Sequence, residues 1–226
     1  MADERSQPED MAASVVEVPT TMGPARVHRW LPEGPRGSLV LTHGANGRLT
    51  TNDLQALRRA LLDRGWAVAL VEQAFVVAGR RIPPRPPTQD AAWVSVMDAL
   101  RDGPLAMPQP MIIGGRSNGA RVACRTAARL DAAGVLGLAF PLHPPRQPEK
   151  SRADDLAQTA GTSRPVLIIQ GRNDPFGTPE EIRYAAPEGV EVVQVRGGHG
   201  FARDPDDLVD AVLDWLDREW PTSRRR

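Results

Sequence analysis

Apolar positions come in short runs that alternate with stretches of helical spacing from about residue 37 to residue 220. Gly37 to Thr42 is a strand-like run, and Leu54, Leu57, Leu61 and Leu62 then recur at helical spacing over Asn52 to Asp63, ending at Gly65. Trp66 to Val71 is apolar again. Gln73 to Gln89, with four prolines and three arginines, reads as a loop, and Thr88 as the N-cap of a helix reaching about Arg101, stopped by Asp102-Gly103-Pro104. Further strands are predicted at Met111 to Gly114, Val135 to Phe140, Pro165 to Gly171 and Val190 to Val195. Helices are predicted at Ala120 to Leu130, Asp154 to Thr159, Pro179 to Ala185 and Pro205 to Trp220.

Two extended runs, Ser14 to Val18 and Ala25 to Leu31, precede this pattern, with Thr20 to Pro24 reading as a hairpin turn. Repeated strand–helix crossovers imply an α/β fold: a mostly parallel sheet, buried on both faces and covered by helices. Residues 1–12 are expected to be disordered, 13–220 to form one domain, and 221–226 to be a tail.

Composition narrows the function classes. Twenty-eight basic and 28 acidic residues cancel, so no charge excess suggests nucleic acid or an anionic membrane as a partner. The single cysteine, Cys124, excludes an intramolecular disulfide and fits a reducing compartment, and its place after the elbow described below suits a packing residue. Five charges in the first ten residues leave no secretory signal visible, and no apolar run approaches the length of a membrane span. A cytoplasmic protein is expected.

The chemistry begins at Gly115-Arg116-Ser117-Asn118-Gly119, between a strand-like run and a helix-forming stretch. G-x-S-x-G in that setting describes a nucleophile elbow, where a strained turn holds a serine clear of its own strand and helix. The glycines are needed because side chains on either side would collide across the turn. An acid and a base follow in order: Asp174 after the run Pro165 to Gly171, and His199 within Gly197-Gly198-His199-Gly200-Phe201 after the run Val190 to Val195. His199 is the expected base for Ser117, and Asp174 the group that fixes its tautomer.

Oxyanion donors are assigned to the backbone N–H groups of Ala45, in Thr42-His43-Gly44-Ala45-Asn46-Gly47, and Asn118. Substrate-binding roles fall to His43, which also organises its loop, to Arg116 beside the nucleophile, and to His143, a cleft-lining histidine and rival base. Arg116 and Arg80 are candidate contacts for an acidic substrate group. The four histidines are too scattered for a metal site, and no phosphate or dinucleotide loop is present, so neither metal nor cofactor is expected.

The elbow, the His43-Gly44 loop, Asp174 and His199 together resemble the α/β-hydrolase superfamily over about residues 35 to 220. Gly114 to Arg121, Pro141-Leu142-His143-Pro144-Pro145 with Pro148-Glu149-Lys150, and Gly171 to Gly177 resemble its branch containing NSL-complex subunit 3, testis-expressed proteins and bacterial relatives. That branch is similar to small dienelactone-hydrolase-like enzymes, with serine replacing their cysteine. Ala120 departs from it where relatives carry a second glycine. The resemblance implies an α/β-hydrolase fold and a Ser-His-Asp triad, and the ordered triad with both oxyanion loops predicts a serine hydrolase acting on a small-molecule acyl substrate, an ester, thioester or small amide, through an acyl-enzyme. The short stretch from 142 to 164 implies a minimal lid and an open cleft. The alternative is a non-catalytic α/β-hydrolase-like binding or scaffold module.

Overall fold

A computed structural model describes residues 11–161 and 163–222. The expected disorder of the first ten residues and most of the tail lie outside the described residues. Eight strands form one sheet: β1 (Ser14–Thr20), β2 (Gly23–Trp30), β3 (Ser38–Thr42), β4 (Ala67–Glu72), β5 (Met111–Arg116), β6 (Gly134–Leu138), β7 (Val166–Gly171) and β8 (Val190–Val195). Their order is β1-β2-β4-β3-β5-β6-β7-β8. The β1–β2 hairpin and the β2–β4 pair are antiparallel, and every pair from β4 to β8 is parallel.

The helices are α1 (Asn52–Asp63), α2 (Ala74–Val77), α3 (Pro86–Arg101), α4 (Asn118–Leu130), α5 (Ala153–Ala157), α6 (Pro179–Ala185) and α7 (Asp206–Glu219). Alternation along the strands sorts the core into two layers. Val40, Ala69, Val71, Ile113, Val135 and Ile168 face Trp93 and Met97 of α3 and Val122 and Ala123 of α4. Leu39, Leu41, Val68, Leu70, Ile112, Leu136, Leu167 and Ile169 face Leu54, Leu57 and Leu61 of α1 and Leu208, Val212 and Trp215 of α7. The expectation of burial on both faces holds for β3 to β7, whereas the edge strand β8 is mostly half-buried.

Gln73 to Gln89 is not wholly a loop. Ala74 and Phe75 are buried and wind the short α2, and α3 begins at Pro86, two residues ahead of the expected cap at Thr88. Proline is admitted in a first helical turn because the N–H it lacks has no intrahelical acceptor there. Likewise β6 stops at Leu138 rather than Phe140, because Ala139 turns to a φ of 50° and leaves the extended ladder. Among the described residues between β6 and β7 the chain builds only α5 and a short turn at Gln158–Gly161, so this segment covers little of the carboxyl ends of the strands. Among the described residues no helix is long and apolar enough to cross a membrane.

Candidate active site

Ser117 links β5 to α4 with φ 53° and ψ −113°, a conformation a residue with a Cβ rarely adopts. The surroundings enforce it. A Cβ on Gly115 would lie 2.7 Å from Thr42 O and 2.9 Å from the carbonyl carbon of Gly119, and one on Gly119 would lie 2.8 Å from Thr42 O and 2.9 Å from His43 O. Both glycines are therefore fixed by the close approach of β3 and its following loop. The Ser117 N–H donates to Leu138 O at 2.8 Å, tying the turn to the end of β6.

Ser117 Oγ and His199 Nε2 are 2.9 Å apart, and His199 Nδ1 is 2.9 Å from Asp174 Oδ2. The buried carboxylate can only accept, so Nδ1 carries the imidazole proton and Nε2 is left as acceptor for the serine hydroxyl. Asp174 is 2% exposed. Its Oδ1 accepts from Phe176 N–H at 2.9 Å, and its Oδ2 accepts from Gln170 Nε2 at 3.0 Å. Gln170 also donates to Phe140 O at 3.2 Å and Gly177 O at 2.7 Å, which orients its amide by acceptors alone. This positioning residue was absent from the sequence-based site. Its signal was a lone amide ending the buried run Val166 to Ile169, because a buried polar group requires partners.

His199 is held from two further sides. The Phe176 ring lies 4.3 Å from the imidazole, centroid to centroid. Arg116 Nη2 donates to His199 O at 2.6 Å. Arg116 Nε also stands 3.0 Å from Asp53 Oδ2, an ion pair without hydrogen-bond alignment. Asp53, in the first turn of α1, is only 3% exposed. Arg116 thus borders the cleft, as expected, but its guanidinium is engaged in fixing the base loop. Sequence reasoning also missed Asp53, because nothing local marks an α1 carboxylate as facing the elbow.

Ala45 and Asn118 both line the cleft, at the loop after β3 and the first turn of α4. Neither backbone N–H has a protein acceptor among the described residues. Both segments therefore border the same cleft as Ser117. The cleft has a volume of about 470 Å³, within the range of small-molecule sites. Pro83, Pro84 and Pro86 form part of its wall, while Arg80 is exposed and does not reach it.

Two residues expected to bind substrate do not line this cleft. His43 is fully buried, with Nδ1 2.7 Å from Gly44 O and Nε2 accepting from the Gln73 N–H at 3.0 Å. Both ring nitrogens are spent on joining the loop after β3 to the end of β4, so the organising role remains and the substrate role does not. His143 faces a separate hollow with Leu142, Pro148, Ser151, Glu181 and Tyr184. Its Nδ1 is 2.9 Å from Pro144 O and its Nε2 3.4 Å from Glu181 Oε1, again without hydrogen-bond alignment. It is therefore no rival base for Ser117.

Burial pushes the His43 pKa below its ordinary value, because a proton on Nε2 would set two N–H donors against each other in a dry site. The unfolded chain then binds more protons below about pH 6.5, so His43 contributes stability that is complete above that value and lost as pH falls. Denaturant midpoints should fall from pH 7.5 to pH 5.5, with a shallower fall in His43→Gln; parallel falls would remove this account. Cys124 is buried in α4, and burial pushes its thiol up to about 12, which suits packing rather than reactivity. Among the described residues no cluster of His, Cys, Asp or Glu is arranged to hold a metal ion.

Comparison with known proteins adds the family. The alpha/beta hydrolase domain family matches residues 35–207. XC6422 from Xanthomonas campestris, described as an a/b serine hydrolase without lid, superposes with a TM-score of 0.75 at 19% identity, covering 94% of this chain and 97% of that one. Est1E from Butyrivibrio proteoclasticus superposes with a TM-score of 0.72 at 13% identity, covering 91% and 98%. The Pyrococcus furiosus esterase Pf2001 gives a TM-score of 0.72 at 16% identity, covering 96% of each chain. At these identities the likeness is one of fold, and it agrees with the sparse covering over the strand ends. With residues 35–207 of its 226 matched by the family, the chain belongs to the alpha/beta hydrolase domain family.

Proposed function

We propose that the protein is a serine hydrolase acting on a small-molecule ester, thioester or small amide through an acyl-enzyme. The observation that carries this reading is the continuous chain Ser117 Oγ, His199 Nε2, His199 Nδ1, Asp174 Oδ2, with both separations at 2.9 Å. His199 accepts the Ser117 proton as Oγ bonds to the substrate carbonyl carbon, and Asp174 stabilises the imidazolium that results. The carbonyl oxygen becomes an oxyanion beside the N–H groups of Ala45 and Asn118. Collapse breaks the bond to the leaving group, which takes the proton from His199. Water then repeats the sequence, giving its proton to His199 and releasing the acid and free Ser117.

Two of the fold neighbours are described as an esterase or a serine hydrolase, which agrees with this chemistry. The motifs at Gly114 to Arg121, Pro141 to Pro145 and Gly171 to Gly177 carry the proposed kinship with the NSL-complex-subunit-3-like branch. The chain composition and single buried cysteine support a cytoplasmic protein.

Treatment with a fluorophosphonate probe should give one covalent adduct per chain, located at Ser117 by mass spectrometry of the digested protein. A folded protein with no adduct would leave the non-catalytic binding module as the better reading.

A further inference from the structure

Four arginines, Arg116, Arg121, Arg125 and Arg152, line the cleft around Ser117, and no aspartate or glutamate does. Three of them have carboxylate partners set behind the wall. Arg116 pairs with Asp53; Arg125 pairs with Asp90 at 2.6 Å and Asp155 at 3.2 Å; Arg121 pairs with Asp155 at 2.5 Å. Arg152 has none. Its Nη1 donates to Pro141 O at 3.1 Å, and no carboxylate approaches within ion-pair distance among the described residues.

The wall formed by α4 and the start of α5 thus sets three guanidiniums against two carboxylates, Asp90 and Asp155. Burial and the charge of nearby Arg121 pull the Arg152 pKa below the ordinary arginine value and outweigh the attraction of Asp155, which is shared with Arg121 and Arg125, so Arg152 is the least compensated cation of the cleft. A guanidinium stays charged near neutral pH, so an anion entering the cleft meets at Arg152 a cation with no ion pair to break among the described residues. Its planar fork matches a carboxylate.

We propose that the substrate carries a carboxylate besides the acyl bond that Ser117 attacks, and that Arg152, flanked by Arg121, is the specificity-determining contact for it. This rests on the hydrolase reading only for the word substrate, since the anion site exists whether or not turnover follows. It also moves the expected contact with an acidic group away from Arg116, which is occupied by Asp53 and His199 O, and from Arg80, which lies outside the cleft.

Binding to the Ser117→Ala protein tests the site without turnover. Three ligands are compared by calorimetry at low salt: 4-nitrophenyl hemiglutarate, with its carboxylate on the acyl side; 4-acetoxybenzoate, with its carboxylate on the leaving group; and neutral 4-nitrophenyl pentanoate. At least one carboxylated ester should bind about ten- to one hundred-fold more tightly than the neutral one, the range expected of hydrogen bonds to a charged group. That preference should disappear when Arg152→Gln is added and be partly restored by Arg152→Lys, which keeps the charge but not the fork. Equal affinity for all three ligands, or a preference that survives Arg152→Gln in a protein with an unchanged melting profile, would overturn the proposal. If Arg152→Gln does not fold, the same comparison in Arg152→Lys and in the parent decides. Tight carboxylate binding without hydrolysis by the wild type would remove the hydrolase reading and leave the anion site standing.

Discussion

Replacing Ser117 with alanine is expected to lower kcat for a 4-nitrophenyl ester by about 10⁶-fold, the scale on which a triad nucleophile and its base act as one unit. Alanine keeps the Cβ, so the strained turn at φ 53° and its glycine neighbours are undisturbed. What is removed is the oxygen that lies 2.9 Å from His199 Nε2. The only thiol, Cys124, is buried and pushed up to about 12, so it offers no substitute nucleophile. The residual rate would come from binding and the Ala45 and Asn118 donors alone. Steady-state kinetics beside a thermal melt decide the matter: a variant that melts like the wild type yet retains more than about a hundredth of its kcat would exclude Ser117 as nucleophile.

Asp174→Asn should reduce kcat by about 10⁴-fold with a much smaller change in KM. The wild-type carboxylate is surrounded entirely by donors: Phe176 N–H on Oδ1, and Gln170 Nε2 and His199 Nδ1 on Oδ2. An asparagine must turn its NH₂ towards one side or the other. Turned towards Oδ2, it opposes both Gln170 and Nδ1–H, and the imidazole answers by shifting its proton to Nε2, where it can no longer accept from Ser117. Turned the other way, it opposes the Phe176 N–H. Gln170 cannot flip in compensation, because Phe140 O and Gly177 O still need its donors. The measurement is a pair of full Michaelis–Menten curves with a stability control. A loss confined to KM would mean that Asp174 serves binding rather than the tautomer of His199.

The parts of the site that were legible in the sequence are those with a local cause. Ser117 was marked by glycines whose absence of Cβ the crossing of β3 demands, and Asp174 and His199 by their positions after apolar strand runs. All three sit at the carboxyl ends of β5, β7 and β8, and parallel strands must place those ends on one side of a sheet. Ala45 follows by the same logic, because β3 lies next to β5. What was not legible is where side chains point and which partner engages them. A histidine in the loop after a strand looks the same whether it turns into the cleft or into the core. His43 turns inward to hold Gln73, and His143 turns to the far side of its loop, towards Glu181.

The sequence by itself thus determined the strand–helix alternation apart from the short α2, the burial of the central strands on both faces, and the two residues, His199 and Asp174, that line up behind Ser117. Periodicity and glycine sterics are local, and the chirality of crossovers converts them into a single topology. Only the tertiary structure decided the roles of the arginines and of Gln170. Arg116 is neutralised by an aspartate on α1 and Arg125 by aspartates on α3 and α5, while Arg152 is left without one. Charges become paired or unpaired through contacts between elements distant in the chain, and a balanced count of acidic and basic residues carries no trace of which cation is left facing the cleft.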